Sequence, residues 1–401
     1  MTEKLKGSRV PNLRFRGFTD DWEVKKIDTI LTIGSGRDYK HLQQGDVPVF
    51  GTGGYMTSVN NYLFDGESVC IGRKGTINKP FYYYGKFWTV DTLFYTHSFR
   101  KVLPKFVFYI FEQVNWLKYN EASGVPSLSK STIEQIEIFI PTISEQRRLA
   151  GFLSLLDNRI QTQNKIIEQL QTLMQGLSEQ VFTQQLRFKD DNGNDFPDWQ
   201  KKKLEEVYSF RVTNSFSRID LNYETGEIKN IHYGDIHTKF RTLFNITKEQ
   251  VPYVSPNISP SPLQKENYCK EGDVIFADAS EDLNDIGKAI EIVNLNNEKV
   301  LSGLHTILAR PISGKLYVGF GGYLFQSKKI RKQIQKESQG TKVLGISAGR
   351  LANIELQLPS LVEQSFIANF FASLDKKIQT EKDILLLYEN EKRYLLQNIF
   401  I

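Results

Sequence analysis

After Glu145 the core-type positions recur as Leu149, Leu153, Leu156, Ile160, Gln163, Ile167, Leu170, Met174, Leu177 and Val181, at alternating steps of four and three. That is an unbroken heptad seam, the spacing that keeps one stripe of a helix against a partner helix. Moved 218 residues on, the positions are Ile367, Phe371, Leu374, Ile378, Glu381, Leu385, Tyr388, Lys392, Leu395 and Ile399. The seam returns in phase, and Glu381 repeats the polar position of Gln163. Pro141, Glu145-Gln146, Asp157 and Gln161-Thr162 match Pro359, Glu363-Gln364, Asp375 and Gln379-Thr380. The spacing predicts two long helices, at 144–185 and 362–401. A helix of about 42 residues is roughly 60 Å long. With a single apolar stripe it needs a partner helix. Its own repeat is the economical partner, antiparallel because the globular segment between can carry the chain back.

The segments leading into each half repeat as well. Leu13-Arg14-Phe15-Arg16, Phe18 and Asp21-Trp22 return as Leu186-Arg187-Phe188-Lys189, Phe196 and Asp198-Trp199. The middles, about 28–143 and 205–361, carry short β-type runs broken by glycine and polar turns. The first has Val47–Phe50, Ser68–Ile71, Phe81–Tyr84 and Thr92–Tyr95; the second has Asp273–Ala277, Ala289–Val293, Thr306–Ala309 and Ile354–Leu358. A weak similarity pairs Gly66-Glu67-Ser68-Val69 with Gly272-Asp273-Val274-Ile275, and Asp91-Thr92-Leu93 with His305-Thr306-Ile307. Shorter amphipathic helices are expected near 105–119 and 319–338, each leading into a glycine turn, Ser123-Gly124 and Gln339-Gly340. Otherwise the middles diverge, and the second is about 40 residues longer.

The expected fold is therefore α+β, with two β-rich mixed domains, two long antiparallel helices forming a coiled coil, and a pseudo-two-fold internal repeat. The expected boundaries are a first domain at 1–143 opening with a polar arm at 1–12, a spacer helix at 144–185, a linker and second lead-in at 186–198, a second domain at 199–361, and a second spacer helix at 362–401.

Composition adds little to this picture. The chain has 401 residues, 40% hydrophobic and 24% charged, ordinary for two or three soluble domains. Two distant cysteines, Cys70 and Cys269, argue against a disulfide framework and fit a reducing cytoplasm. No apolar leader is visible, and the longest apolar run, Phe106–Phe111, is far too short to span a bilayer. The net charge of +5 permits polyanion binding, with most of the excess in residues 1–143.

A search for catalytic chemistry fails. There is no phosphate-binding loop, and the Gly51-Thr52-Gly53-Gly54 cluster has the wrong spacing for dinucleotide binding. No Pro-Pro-aromatic tetrapeptide, Gly-x-Ser-x-Gly elbow or Cys-x-x-Cys pair occurs. His232 and His237 are five apart, a poor spacing for one helix face. What the middles do offer is basic, amide and aromatic residues in glycine-flanked turns. In the first half these are Arg37, Tyr39, Lys40, Arg73, Lys74, Thr76, Asn78 and Lys79, with the run Tyr82-Tyr83-Tyr84 and Trp88 behind them. In the second they are Arg211, Asn214, Arg218, His232, Tyr233, His237, Lys239, Arg241 and Lys342. Arg and Lys suit phosphate oxygens and guanine edges, and Asn suits adenine. Each taken alone reads equally as a solvated charge or a turn residue.

The doubled Leu-Arg-Phe lead-in and the doubled Pro-x-x-x-Glu-Gln opening of each helix, with like flanks around unlike middles, resemble the specificity subunit of type I restriction–modification enzymes over nearly the whole chain. The resemblance implies that each middle is a target-recognition domain reading one half of a split DNA sequence, and that the helices set the gap between the halves. It implies double-stranded DNA and two methyltransferase subunits as partners, with two motor–nuclease subunits in the restriction form. It also implies no cofactor on this chain, with S-adenosylmethionine, ATP and Mg on the partners, and no active site. Unlike middles imply an asymmetric target. Two other readings stand beside it. One is a coiled-coil assembly adaptor whose domains bind proteins. The other is an enzyme with an unrecognised site in the second middle, drawing on His232, His237, Cys269 and His305.

Overall fold

The computed structural model describes residues 10–211, 213–258 and 265–401. Most of the polar arm expected at 1–12 lies outside the described residues. The chain divides into two compact units, one of residues up to 165 together with 382–401, the other of residues 166–381.

In the first unit β1 (Glu23–Lys26) leads through a single helical turn, α1 (Ile27–Ile30), into β2 (Thr32–Ser35), β3 (Gln44–Gly51), β4 (Gly54–Val59), β5 (Phe64–Gly72), β6 (Phe81–Thr89) and β7 (Leu93–His97). Then come α2 (Pro104–Gln113), α3 (Lys130–Glu134), β8 (Glu137–Ile140) and the start of the long helix α4 (Ile143–Phe182). Strands β2 to β7 form one sheet in the order β2-β7-β5-β6-β3-β4, while β1 pairs with β8. Val69 and Ile71 on one face of β5 pack with Phe106, Val107 and Ile110 of α2, and Cys70 faces the opposite side with Phe87 and Leu93. This is the period-two alternation of a strand buried on both faces.

In the second unit β9 (Gln200–Lys203) precedes β10 (Tyr208–Arg211), β11 (Leu221–Asn222), β12 (Ile228–Ile231), α5 (Tyr233–Thr238), β13 (Leu243–Asn245), β14 (Tyr253–Val254), β15 (Val274–Ala277), β16 (Ala279–Ser280), β17 (Ala289–Asn294), β18 (Lys299–Ser302) and β19 (Thr306–Pro311). After these come α6 (Phe320–Gln326), α7 (Lys328–Glu337), β20 (Leu344–Gly345), α8 (Ala348–Ala352), β21 (Glu355–Leu358) and the long helix α9 (Leu361–Ile399). The main sheet has the order β10-β19-β15-β17-β13. Strand for strand this is the β2-β7-β5-β6-β3 part of the first sheet. The first three pairings are antiparallel and the last is parallel in both. The extra length of the second middle builds a separate sheet, β11-β14-β12-β18, and α5. Two middles that diverge in sequence thus share one five-stranded frame, because a ladder is held by backbone groups that any side chain leaves available.

The backbone register corrects the weak sequence pairing of the middles by one residue. Gly72 faces Leu93 across β5 and β7, and Ala277 faces Thr306 across β15 and β19. Val69 therefore corresponds to Val274, and not to Ile275 as the local similarity suggested. The packing agrees: Val274 and Phe276 face the helix-side core and Ile275 the other, as Val69, Ile71 and Cys70 do. A one-residue slip would have turned each side chain to the wrong face.

The repeated flanks make matching contacts. Glu145 is buried and takes a two-pronged ion pair from Arg14 at 2.8 Å, while Glu363 is buried and takes the same from Arg187 at 2.9 and 3.3 Å. The Gln146 carboxamide accepts from Leu103 N–H and donates to the Lys101 and Pro141 carbonyls. Gln364 does likewise with Tyr317 N–H and the Lys315 and Pro359 carbonyls. Tyr109 donates to Asp157 at 2.6 Å, and Tyr323 to Asp375 at 2.7 Å. Phe15 meets Phe152 edge-on, as Phe188 meets Phe370.

All ten seam positions of each long helix are buried or half-buried. Helix α4 ends before the expected 185, because Gln184 takes a left-handed backbone and the N–H groups of Gln185 and Leu186 close onto the Gln180 carbonyl. In the first unit Leu149 and Leu153 of α4 share a core with Leu396 and Ile399 of α9 and with Phe400 just after it. In the second, Val181 and Phe182 share a core with Ile367 and Phe371, the Phe182 and Phe371 rings stacking at 6.1 Å. The start of each long helix thus packs beside the end of the other, so the pair is antiparallel in both units. One contact breaks the symmetry. Lys392, on the seam, reaches Asp157 at 2.8 Å and Glu112 at 3.1 Å, whereas its counterpart in the repeat is Met174.

The second unit also holds a buried acid. Glu291 on β17 accepts from Gly319 N–H and Gly322 N–H, both at 2.7 Å, and so fixes the start of α6 to the sheet. Burial pushes its carboxyl up to about 7, against the pull of those donors.

Two outcomes follow for stability. Arg14→Met should cost about 3 kcal/mol by leaving Glu145 buried and unpaired. Adding Glu145→Leu should recover most of that loss, as read by urea titration. Glu291, with a folded pKa above its unfolded value of about 4.3, gives stability that is fully present below that value and is lost as pH rises through about 7. Glu291→Gln should flatten the urea midpoint against pH across that window.

Candidate nucleic-acid interface

In the first unit the basic candidates lie at the ends of β2 and β5. Arg37 and Lys40 are exposed after β2. The Arg37 carbonyl accepts from the Trp88 indole at 2.8 Å, which fixes the turn and leaves the guanidinium outside. Tyr39 turns inward onto Val49, Val59 and Trp88. Arg73, Lys74, Asn78 and Lys79 are exposed in the turn after β5, and Thr76 is half-buried there. Arg73 sits over the Phe94 ring at 5.8 Å, and its Nη1 approaches the Asp91 carbonyl at 3.4 Å. Arg73, Lys74 and Lys130 line a cavity of about 510 Å³ together with Phe94, Glu121 and Ser129. The structure therefore brings Arg73 and Lys74 together with Lys130 on one basic surface and packs the half-buried Tyr39 against the core. In the tyrosine run, Tyr83 packs inward against Phe50 and Phe87 while Tyr84 is exposed, the alternation of a strand.

In the second unit most candidates gather around α5. Asp235 is buried and receives Arg218 at 2.7 and 3.0 Å and Lys239 at 3.0 Å. Burial disfavours its charge, but the bonds from Arg218 and Lys239 outweigh this and hold its carboxyl below the usual range. Lys239 also donates to Tyr223 at 2.9 Å. His232 caps α5, its Nδ1 accepting from Gly234 N–H at 3.1 Å. Burial, aided by Arg218, keeps that ring below its ordinary pKa and so neutral enough to accept. Tyr233 lies against the rings of His232, His237 and His305, at 4.6, 5.9 and 5.3 Å. His237 is tied to the Ala279 carbonyl, and His305 to Asp278 at 3.2 Å.

The remaining candidates are scattered. Arg211 pairs with Glu266 at 3.7 Å and Arg241 with Glu249 at 3.8 Å. Asn214 spends its amide on Asn230 and the Ser302 carbonyl and its oxygen on Phe216 N–H. Lys342 is exposed in the turn between the Gln339 and Gly345 bridge partners. Tyr223 and Asp278 belong to the α5 surface and were not singled out in the sequence. Asp278 directly follows the apolar run of β15, and that place just past a buried strand is the one signal that could have marked it.

The surface offers little for bond-making chemistry. No group of three or more His, Cys, Asp or Glu side chains among the described residues is arranged to hold a metal. Cys70 and Cys269 are buried, and burial pushes both thiols up, Cys70 to about 12, so neither is an available thiolate. What remains are cations, aromatic rings and a carboxylate on rigid strand ends, which suit recognition of a charged, hydrogen-bonding surface. No helix among the described residues is long and apolar enough to cross a membrane.

Comparison with known proteins agrees with this reading. The family described as type I restriction modification DNA specificity domain matches twice, at residues 19–172 and 197–387. The MjaVIII specificity subunit, a type I restriction enzyme component of Methanocaldococcus jannaschii, is 27% identical over 353 residues, covering 83% of this chain and 76% of that protein. The crystal structure of a type I restriction–modification S subunit from M. genitalium superposes with a TM-score of 0.62 at 14% identity, covering 98% of this chain and 99% of that one. A chain from a structure concerning complex assembly and conformational transition of the type I system gives 0.55 at 15%, covering 96% and 98%. At such identities the two structures show the fold alone, while the doubled family match spans most of the sequence. The chain therefore belongs to the type I restriction–modification DNA specificity family, as a non-catalytic specificity subunit with two DNA-recognition domains that binds DNA and assembles with other subunits.

Proposed function

We propose that this chain reads an asymmetric, bipartite double-stranded DNA target and holds two methyltransferase subunits over it, with two motor–nuclease subunits added in the restriction form. The observation that carries this reading is the shared five-stranded frame. Both units hold the same strands in the same order, flanked by matching contacts, yet expose unlike turns: Arg73–Lys79 in one, the α5 surface in the other. Like flanks suit a partner used twice, and unlike turns suit unlike half-sites. In functional terms residues 1–143 and 199–361 are the two readers, 144–185 and 362–401 are spacer helices that fix an unspecified gap, and 186–198 is the linker. S-adenosylmethionine, ATP and Mg belong to the partner subunits, where a flipped adenine would be methylated. The work is done in the cytoplasm, where the DNA is.

The test is the salt dependence of DNA binding by the complex of this chain with its methyltransferase subunit. A reader that neutralises several phosphates should lose about 10³-fold in affinity between 50 and 200 mM salt. Lys79→Ala and Lys342→Ala should each lower the slope of log affinity against log salt by about one, with the urea midpoint unchanged. Binding that is weak and flat with salt, in a complex that stays assembled, would favour an adaptor instead.

A further inference from the structure

Strand β5 ends at Gly72 and β15 at Ala277, and the next residue of each is fixed by the same two backbone bonds. Arg73 N–H donates to the Thr92 carbonyl and its own carbonyl accepts from Leu128 N–H, both at 2.8 Å. Asp278 N–H donates to the His305 carbonyl at 3.0 Å and its carbonyl accepts from Ile346 N–H at 2.9 Å. One residue on, Lys74 bridges to Ser127 and Ala279 pairs with Gly345. Leu128 and Ile346 correspond in the repeat, as do Ser129 and Ser347, which cap α3 and α8 alike. Even the loop tips agree, with Val125 57% and Val343 55% exposed. Arg73 and Asp278 are therefore one position of the frame, presented by one backbone geometry, with opposite side chains.

Each side chain turns to the corresponding neighbouring turn. Arg73 reaches the Asp91 carbonyl at a long 3.4 Å. Asp278 meets the His305 ring at 3.2 Å, and that ring is about half exposed. Neither contact is strong, so either side chain can give it up to a ligand at small cost. Arg carries donors only and an ionised carboxylate acceptors only. Held on the same frame, they cannot favour the same base edge.

We propose that this shared position determines specificity in each half: Arg73 donates to the O6 and N7 of a guanine in the half-site of the first unit, and Asp278 accepts from the N4 amino group of a cytosine in the half-site of the second. The assignment rests on the DNA-reading function proposed above. Around it, Lys74 and Lys130 in the first unit, and Arg218 and Lys239 in the second, supply positive charge for the phosphates, and Tyr233 buttresses the His305 side of Asp278.

The experiment is selection from a randomised duplex DNA pool by the full chain complexed with its methyltransferase subunit, for wild type and for Arg73→Ala, Arg73→Lys, Asp278→Ala and Asp278→Asn. The wild type should enrich a split sequence. Arg73→Ala should lose a guanine preference at one position of one half-site by about tenfold or more, and Arg73→Lys should weaken the preference at that same position without changing its base, since an ammonium lacks the planar fork. Asp278→Ala should lose a cytosine preference at one position of the other half-site, and Asp278→Asn should shift it towards adenine, which an amide suits. Should an alanine variant fail to assemble, the Lys and Asn variants still decide. A split sequence from the wild type that is unchanged in every variant overturns the assignment and leaves the DNA-reading function standing. A wild type that enriches no split sequence overturns both.

Discussion

The two Glu-Gln pairs at the starts of the long helices hold this molecule together. Glu145 and Gln146 are both buried, and neither is stable there without partners. Arg14 from the lead-in segment satisfies the carboxylate. The Leu103 N–H and the Lys101 and Pro141 carbonyls, from the loop before α2 and the strand before α4, satisfy the amide. Three stretches distant in sequence are thereby fixed at one point. Glu363, Gln364 and Arg187 do the same in the second unit. The ion pair adds little net stability over an apolar substitute. What it adds is a single geometry, since each arginine is also tied to backbone carbonyls of its own lead-in, Arg14 to Asp20 and Arg187 to Phe196 and Pro197.

That constraint explains how the halves can differ so much between their flanks. With the lead-in, the β1–β8 or β9–β21 pair and the long helix fixed, the sheet needs only a buried face and backbone ladders. The first unit meets that need with Val69, Ile71 and Phe106, the second with Val274, Phe276 and Phe320. Residues just beyond the strand ends carry no such obligation. Arg73 and Asp278 can therefore have opposite charge on one frame, and the second unit can accommodate an additional four-stranded sheet and α5 without altering the strand order. On the proposed reading, the repeated parts supply the frame and the parts that do not repeat supply recognition.

The sequence exposed the repeated parts and obscured the rest, for physical reasons. A heptad seam is periodic over forty residues, so α4 and α9 were legible nearly to their ends; the shortfall after Phe182 follows from the left-handed Gln184, which no pattern announces. The strands Ser68–Ile71, Ala289–Val293 and Thr306–Ala309 were visible as apolar runs. The local similarity pairs Val69 with Ile275, one residue off the backbone register, because strands buried on both faces lose the alternation that marks register. The parallel pairing of β3 with β6 and of β13 with β17 involves no local signal at all. Among the candidate binding residues, composition could not separate Arg73, exposed above Phe94, from Tyr39, which packs against the core, or from Asn214, whose hydrogen bonds close within the unit. Asp278 has no signal of its own in composition, since a lone acid after an apolar run reads as an ordinary turn residue.

The central claim is that one chain reads two unlike half-sites for a partner that is used twice. The most direct measurement is N6-methyladenine sequencing of the DNA of a host that lacks adenine methylation, after co-expression of this chain with its methyltransferase subunit. The account predicts a single split motif, with different half-sites, a fixed gap and one methylated adenine in each half. A continuous or palindromic motif, or a stable complex that leaves the DNA unmethylated, would contradict it.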